Sequence, residues 1–336
     1  MFRLFFVSLG KRNVQPLLVT SVEDLVAKDH PYRHLLRIVP FESLCAPLRS
    51  KYSKAGRAGY PVETIFKALL LQWLEDLSDR ELERFLKENL AGKLFCGFEL
   101  GDATPDFSTF SVARDRLGTE GVAELFNSVR EALKQAGLVR EVFTFVDATQ
   151  LTSKLNLWRE RDMLIGQGEK KLGNETVALV AADPQARFGR KGGTKWYGYK
   201  FHAAVDMSQG LIVRVAITPA NVEDTKAVRH VLPRSGMVFG DKAYGVGESA
   251  WWMKRLGLHC GAILKNNMKA KDHDKDRWLC SVRMPFESTF SKIQKRARYR
   301  GVKKTQFQAF MDAFAFNCKR LLTIHAEPLV LRPHCA

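Results

Sequence analysis

Three acidic residues stand where their surroundings do not favour them. Asp147 follows Val146 within EVFTFVDATQL (141–151), a short β-branched and aromatic run that reads as a buried strand. Asp is disfavoured in such a strand. Asp241 follows Val238-Phe239-Gly240, at the point where a parallel strand would end. In open α/β sheets ligands sit at the carboxyl ends of strands. Two carboxylates on neighbouring strands repel unless a cation holds them. Hard divalent ions prefer oxygen ligands, and Mg²⁺ uses one or two carboxylates while keeping several waters. A third carboxylate is expected from the helix after the last strand. Glu287 fits, because Phe286, Phe290 and Ile293 form the apolar stripe of RMPFESTFSKIQKR and Glu287 lies beside it. Each acid also has an ordinary reading. Asp147 caps a turn, Asp241 pairs with Lys242, or Glu287 is an early-turn acid favoured by the helix dipole.

The elements that would position these acids begin at residue 141. KFHAAVDM (200–207) and LIVRVAIT (211–218) read as two strands joined at Ser208-Gln209-Gly210, a hairpin spacing. A helix follows from Asn221 or Glu223 to about Leu232. GMVFGDKAY (236–244) reads as another buried strand, 248–256 as a helix, CGAIL (260–264) as a last short strand, and a basic helical tail closes the chain. Residues 152–197 read as irregular and basic, with adjacent glycines at 192–193. This order predicts a mixed α/β fold with a central sheet. Residues 141–325 are assigned to it, and 326–336 to a tail.

Residues 1–140 read as a separate helical domain. Ile65, Ala68, Leu69 and Trp73 form one apolar stripe, with Pro61 near its start. Ser78 and Glu81 have capping-box spacing and open a second helix. Asp106 or Ser108 caps a third, carrying Arg114 and Arg116. Short helices with tight links resemble a helix-turn-helix bundle. A further helix over 120–136 ends at Gly137.

The chain has 336 residues, with 53 Lys and Arg against 36 Asp and Glu, a net charge of +17. A field of that sign favours a polyanion, with nucleic acid leading. Residues 265–305 hold 13 of the basic residues against four acidic ones. No apolar run approaches the roughly 18 residues of a membrane span, and MFRLFFVSLGKR reads as a leader into the first domain rather than an export signal. The six cysteines are scattered without a Cys-x-x-Cys pair, which excludes a zinc ribbon on spacing and suits a reducing cytoplasm.

Taken together, the chain resembles the DDE transposases of bacterial insertion sequences, in the broad group of insertion sequence five. The matching stretches are DHPYR (29–33), GYPVETIFKALLLQWLEDLSDRELERFL (59–86), FCGFELGDATPDFSTFSVARDRL (95–117), FVDATQL (145–151), DPQARFGRKGGTKWYGYKFHAAVD (183–206), ITPANVEDT (217–225), FGDKAYG (239–245) and RMPFESTFSKIQKRARYRG (283–301). The resemblance implies an RNase H-like core with Asp147 on its first strand, Asp241 just after its fourth, and Glu287 on the helix after its fifth. It implies that these three residues are the catalytic and metal-binding set, holding two Mg²⁺ or Mn²⁺ ions. Water attacks first and frees a 3′-hydroxyl at the element's end, and that hydroxyl then attacks target DNA. No covalent protein intermediate is needed, so Tyr299 reads as a stacking or packing residue. His202 reads as a core or groove residue. The implied DNA contacts are Arg187, Lys191, Lys195, Arg283, Lys292, Lys295, Arg296, Arg298, Arg300 and Lys303. The implied partners are terminal repeats and target DNA, with a homodimer assembled on DNA near the nucleoid.

Two positions depart from the family signature. Cys280 stands where Tyr is frequent, and Gln294 where a DNA-contacting Lys is frequent. They keep open a second reading, a decayed or domesticated copy that binds DNA without cutting it. A repair nuclease with the same core would lack the N-terminal matches.

Overall fold

The computed structural model describes residues 21–51, 59–153, 173–191, 193–263 and 272–331. The apolar leader, Gly192, Leu264, the start of the 265–305 basic run and Cys335 lie outside the described residues.

The first half is helical: α1 (Val22–Leu25), α2 (Pro31–Ile38), α3 (Phe41–Cys45), a 3₁₀ turn (Ala46–Lys51), α4 (Val62–Leu74), α5 (Asp79–Glu88), α6 (Leu90–Cys96) and α7 (Phe107–Gln135). The local signals act as expected. Ser78 Oγ accepts from the Glu81 N–H, and Glu81 Oε2 accepts from the Ser78 N–H at 2.8 Å. Asp106 caps α7 by accepting from the Thr109 N–H at 2.8 Å. The expected third helix and the helix over 120–136 are one element, kinked at Gly118. Gly118 has φ 65° and ψ 171°, a left-handed φ that glycine takes without strain.

The second half is the mixed α/β fold that the pattern implies. Its elements are β1 (Phe143–Thr152), α8 (Asn174–Val180), β2 (Arg187–Lys191), β3 (Thr194–Asp206), β4 (Leu211–Pro219), α9 (Asp224–Ala227), β5 (Met237–Gly240), α10 (Gly247–Arg255), β6 (His259–Ala262), α11 (His273–Ser291) and α12 (Val302–Thr323). β1, β3 and β4 form an antiparallel meander, and β5 and β6 continue the sheet parallel to β1. This is the RNase H-like order. β2 lies on the same edge of β3 as β4, because Gly198 pairs with Thr152 on one side and Arg187 on the other. The stretch 152–197 is therefore not wholly irregular: it holds α8, β2 and the start of β3. The extra strand also shifts the count, so among the described residues Asp241 follows the fifth strand and Glu287 lies on the helix after the sixth.

α12 covers the outer edge of β4. Asn317 accepts from the Ile212 N–H and donates to the Ile212 carbonyl, both at 2.8 Å, imitating a neighbouring strand. Gln306 accepts from the Ile217 N–H at 2.8 Å and donates to the Val215 carbonyl at 3.3 Å. An open edge would otherwise expose unpaired backbone groups. On its other side α12 meets the helical half. Phe314 stacks edge-on to Phe66 at 5.4 Å, and Phe310 meets Phe126 at 5.6 Å. A single apolar core thus runs from α2 through α12 into the sheet.

Candidate active site

The parallel pairing of β1 and β5 sets Phe145 opposite Phe239. Continuing that register by two residues puts Asp147 opposite Asp241. Side chains alternate along a strand, so Asp147 faces the same way as Phe145. The Phe145 ring meets Phe290 of α11 at 5.7 Å, edge-on, and Phe239 meets Trp278 of α11 at 6.3 Å. Both acids therefore face the α11 side. Asp241 closes a turn, accepting from the Ala243 N–H at 2.8 Å. It lines a cavity of about 610 Å³ with Lys242 and Ile263 and, from α11, with His273, Asp276, Arg277, Cys280 and Arg283.

Asp147 accepts from its neighbour's N–H, that of Ala148, at 2.7 Å. Burial pushes its carboxyl up to about 6. The Lys191 ammonium and the Ala148 N–H pull it back, while Asp241 and Asp224 push it further. A half-buried carboxylate near other carboxylates is an arrangement that a divalent cation relieves, and its donors are all hard oxygen. Asp147 and Asp241 fit such an ion.

Glu287 is placed differently. It lies near the C-terminal end of a helix that begins fourteen residues earlier at His273, so the dipole reading of an early-turn acid does not hold. Its carboxylate is half exposed and pairs with Arg283 at 3.3 Å. Arg283 and Cys280 line the cavity beside Asp241, and Glu287 lies one turn beyond. Among the described residues no three His, Cys, Asp or Glu side chains converge as a ready metal-binding group. The structure thus brings together Asp147 and Asp241, and leaves Glu287 outside.

The expected DNA contacts divide into two sets. Lys195, Lys292, Lys295, Arg296 and Arg300 are exposed. Lys295 and Arg296 are held at the carboxyl end of β1: the Lys295 carbonyl accepts from the Thr152 N–H and the Ala297 N–H donates to the Thr152 carbonyl, each at 2.8 Å. Arg283 has a buried Nε–H with no hydrogen-bond partner, beside the cavity that contains Asp241. Lys191 reaches toward the Ala148 carbonyl at 3.5 Å, next to Asp147. Arg187 turns back to the Ala186 carbonyl at 2.8 Å.

Arg298 and Lys303 also make contacts within the chain. The Arg298 guanidinium pairs with Asp76, donates to the Leu77 carbonyl at 2.6 Å and lies 4.2 Å over the Trp73 ring. Arg298 therefore joins the C-terminal segment to the turn between α4 and α5. Gln294 donates to the same Asp76, so the residue standing in place of the signature Lys makes an internal contact. Lys303 pairs with Glu120 at 2.9 Å. Arg114 of α7 forks onto Asp79 at 2.5 and 2.7 Å. Tyr299 packs between Trp73 and Phe307, with ring centroids at 6.4 and 6.2 Å, which bears out the packing reading. His202 is buried with Nε2 2.8 Å from Thr218 Oγ1, and burial holds its imidazole down to about 4.

With this geometry in hand, the comparisons decide the family. Residues 140–318 match the family described as Transposase DDE domain, and residues 20–116 match Transposase domain (DUF772). The chain belongs to the DDE transposases. The two matches divide near the start of β1, where the helical half gives way to the sheet. A cryo-EM structure of a piggyBac transposase synaptic complex with hairpin DNA is similar at 9% identity and a TM-score of 0.36. It covers 90% of this chain and 75% of the other, too distant a likeness to bear on the site. A transposase acts on DNA, and the family uses divalent metal ions. No described helix is long and apolar enough to cross a membrane.

Sequence reasoning passed over three residues near the acids. Asp224, at the start of α9, acts electrostatically on Asp147. Lys200 of β3 pairs with Asp224 at 2.9 Å. Tyr244 has a buried hydroxyl with no partner.

Proposed function

We propose that this chain is the transposase of a bacterial insertion sequence, binding its element's ends, cutting them in a Mg²⁺- or Mn²⁺-dependent reaction, and joining the freed 3′-hydroxyl to target DNA. The carrying observation is the pair Asp147 and Asp241, each two residues beyond the paired Phe145 and Phe239, with Asp241 lining the cavity along α11. Asp147 and Asp241 would hold the metal, with Glu287 as the family's third carboxylate. Two bound ions would supply activation of the attacking oxygen and stabilisation of the leaving oxygen in an in-line displacement at phosphorus.

The remaining residues bind and orient the DNA. The unpartnered Arg283 Nε–H, at the cavity that holds Asp241, suits a phosphate oxygen beside the scissile bond. Lys195, Lys292, Lys295, Arg296 and Arg300 are exposed cations suited to phosphate contact. The helical domain over 1–140 reads the element's end, and a second copy joins when both ends are held. The work is done in the cytoplasm, at the nucleoid.

One observation favours the second reading, a copy that binds without cutting: Glu287 is engaged by Arg283 rather than turned to the two aspartates. The test is cleavage of an end-labelled duplex carrying the element's terminus. Cleavage that needs Mg²⁺ or Mn²⁺, with Ca²⁺ supporting binding alone, supports the transposase. Cleavage in excess chelator contradicts the metal role, and binding without cleavage under any ion supports the second reading.

A further inference from the structure

We infer that the outward face of α9, the 3₁₀ turn Val228–His230 and α10 is a second DNA-binding surface, and that it holds a duplex other than the one lying at Asp147 and Asp241. The inference rests on the reading of this chain as a transposase that binds DNA.

Side-chain alternation places this surface on the far side of the sheet. Asp147 shares its face of β1 with Phe145, whose ring meets Phe290 of α11 at 5.7 Å. Lys200 of β3 lies directly opposite Gln150 of β1. Directly opposed residues share a face, and Gln150, three residues from Asp147, stands on the other one. From that far face Lys200 donates to Asp224 Oδ1 at 2.9 Å and to the Val222 carbonyl at 2.8 Å, which seats the start of α9 there. α10 packs on α9 and on the 3₁₀ turn. A straight duplex that runs along α11 to Asp241 cannot also reach α10.

The surface has the chemistry of a phosphate-binding face. On α10 Ser249 and Met253 are buried, while Trp251, Lys254 and Arg255 are exposed at the i, i+3, i+4 spacing of one helix face. Lys226 of α9 and Arg229 of the turn are exposed as well. The exposed acids nearby are Glu223 and Glu248, and Glu248 accepts from the Trp252 indole N–H at 3.4 Å. Asp224 is turned inward to Lys200. The cations outnumber the acids, and a field of that sign draws a polyanion.

Two of the cations are held in place. The Arg255 guanidinium lies 5.4 Å over the Trp251 ring, and Trp251 itself stands edge-on to Trp252 with centroids 4.7 Å apart. Arg229 donates through Nε to His230 Nε2 at 3.2 Å. A guanidinium already steadied loses less freedom when its fork meets phosphate oxygens. Trp251 is 52% exposed, so it presents an apolar face to deoxyribose and an indole N–H to a phosphate.

The test counts duplexes. A random duplex of about 15 base pairs, one and a half helical turns, is titrated onto the full chain in chelator and counted by native mass spectrometry. The parent is expected to hold two duplexes per chain, and Lys254→Glu/Arg255→Glu one. The variant's slope of log affinity against log salt should be shallower by roughly one unit per lost phosphate contact. In Mg²⁺ the variant should cut a labelled element end at the parent's rate, because α10 lies away from the acids. Lys254→Gln/Arg255→Gln repeats each measurement without reversing charge.

If both variants keep the parent's duplex count and salt slope, the inference is overturned. It is overturned too if both stop cutting at an unchanged urea midpoint, since these cations then serve the same duplex as the acids. The rival occupant is a second copy of the chain, and sedimentation without DNA reads it. Trp251→Ala should sediment as the parent does, whereas loss of self-association with the duplex count intact makes this face a contact between chains. A parent that binds no duplex contradicts the DNA reading itself. A parent that binds only one contradicts this inference alone.

Discussion

Asp147 of β1 and Asp241, the residue that follows β5, each lie two residues beyond the paired Phe145 and Phe239 of those adjacent parallel strands. Backbone register alone fixes this relationship. The phenylalanines anchor it by packing on α11, through Phe290 and Trp278. Burial first, with lesser pushes from Asp241 and Asp224, lifts the Asp147 carboxyl to about 6, and a cation would relieve that cost.

A second buried acid gives the fold a pH dependence that is separate from the site. Asp312 of α12 is pushed up to about 8 by burial and by Asp76, against the pull of Gln308 and Arg298. A folded value above the ordinary 3.8 means that the folded chain binds an extra proton between these limits. The stability it contributes is complete below pH 4 and is lost as pH rises toward 8, with a slope of about 1.4 kcal/mol per pH unit. Asp312→Asn cannot ionise and should lack this slope. Urea unfolding at pH 5, 7 and 9 should show the variant gaining on the parent as pH rises. A constant difference across that range would mean that Asp312 does not titrate there.

Arg298 should matter more to stability than to DNA affinity. It is held by Asp76, the Leu77 carbonyl and the Trp73 face. Arg298→Ala removes a hydrogen bond to the part-buried Leu77 carbonyl and the packing over Trp73, for a loss of about 1–2 kcal/mol. The urea midpoint should drop, while the salt dependence of DNA binding keeps the parent's slope. An unchanged midpoint with a shallower salt slope would return Arg298 to the phosphate contacts.

Arg296 and Arg300 should behave in the opposite way. Both are exposed on the segment held beside the end of β1. Replacing both with Ala should weaken binding to specific and random duplex about equally. The slope of log affinity against log salt should become shallower by roughly one unit per lost phosphate contact. Stability should change little. If only the specific complex is lost, these arginines read bases, and the division between end-reading helices and a phosphate-binding tail is wrong.

Local signals were legible where one short stretch determines the outcome. The capping box at Ser78, the cap at Asp106, β1, the β3–β4 hairpin and the strand before Asp241 all follow from residue types within a few positions. Asp147 and Asp241 were readable because an acid in an apolar strand violates local preference. What was not legible depends on distant partners. Arg298 looks like any cation in a basic run until Asp76 and Trp73, more than two hundred residues away, fold against it. β2 is short and half basic, and becomes a strand only by pairing with β3. α11 extends through Pro285, which the sequence offers no reason to place inside a helix. Asp224 and Tyr244 have ordinary neighbours in sequence, and only the sheet topology brings them near Asp147.

The most direct test of the site is strand cleavage by purified Asp147→Asn, Asp241→Asn and Glu287→Gln chains on a labelled duplex carrying the element's end, in Mg²⁺, with DNA binding measured in parallel. Asn and Gln preserve shape and remove charge, so folding and phosphate contacts should survive. The expected result is loss of cleavage by at least about a hundredfold in both aspartate variants, as for removal of metal ligation, with DNA affinity within a few-fold of the parent. Glu287→Gln should fall as far if Glu287 leaves Arg283 and joins the aspartates when DNA and metal are bound. Cleavage above about a tenth of the parent's rate in Asp147→Asn or Asp241→Asn would contradict a reaction centred on this pair, since ligand loss costs at least tenfold.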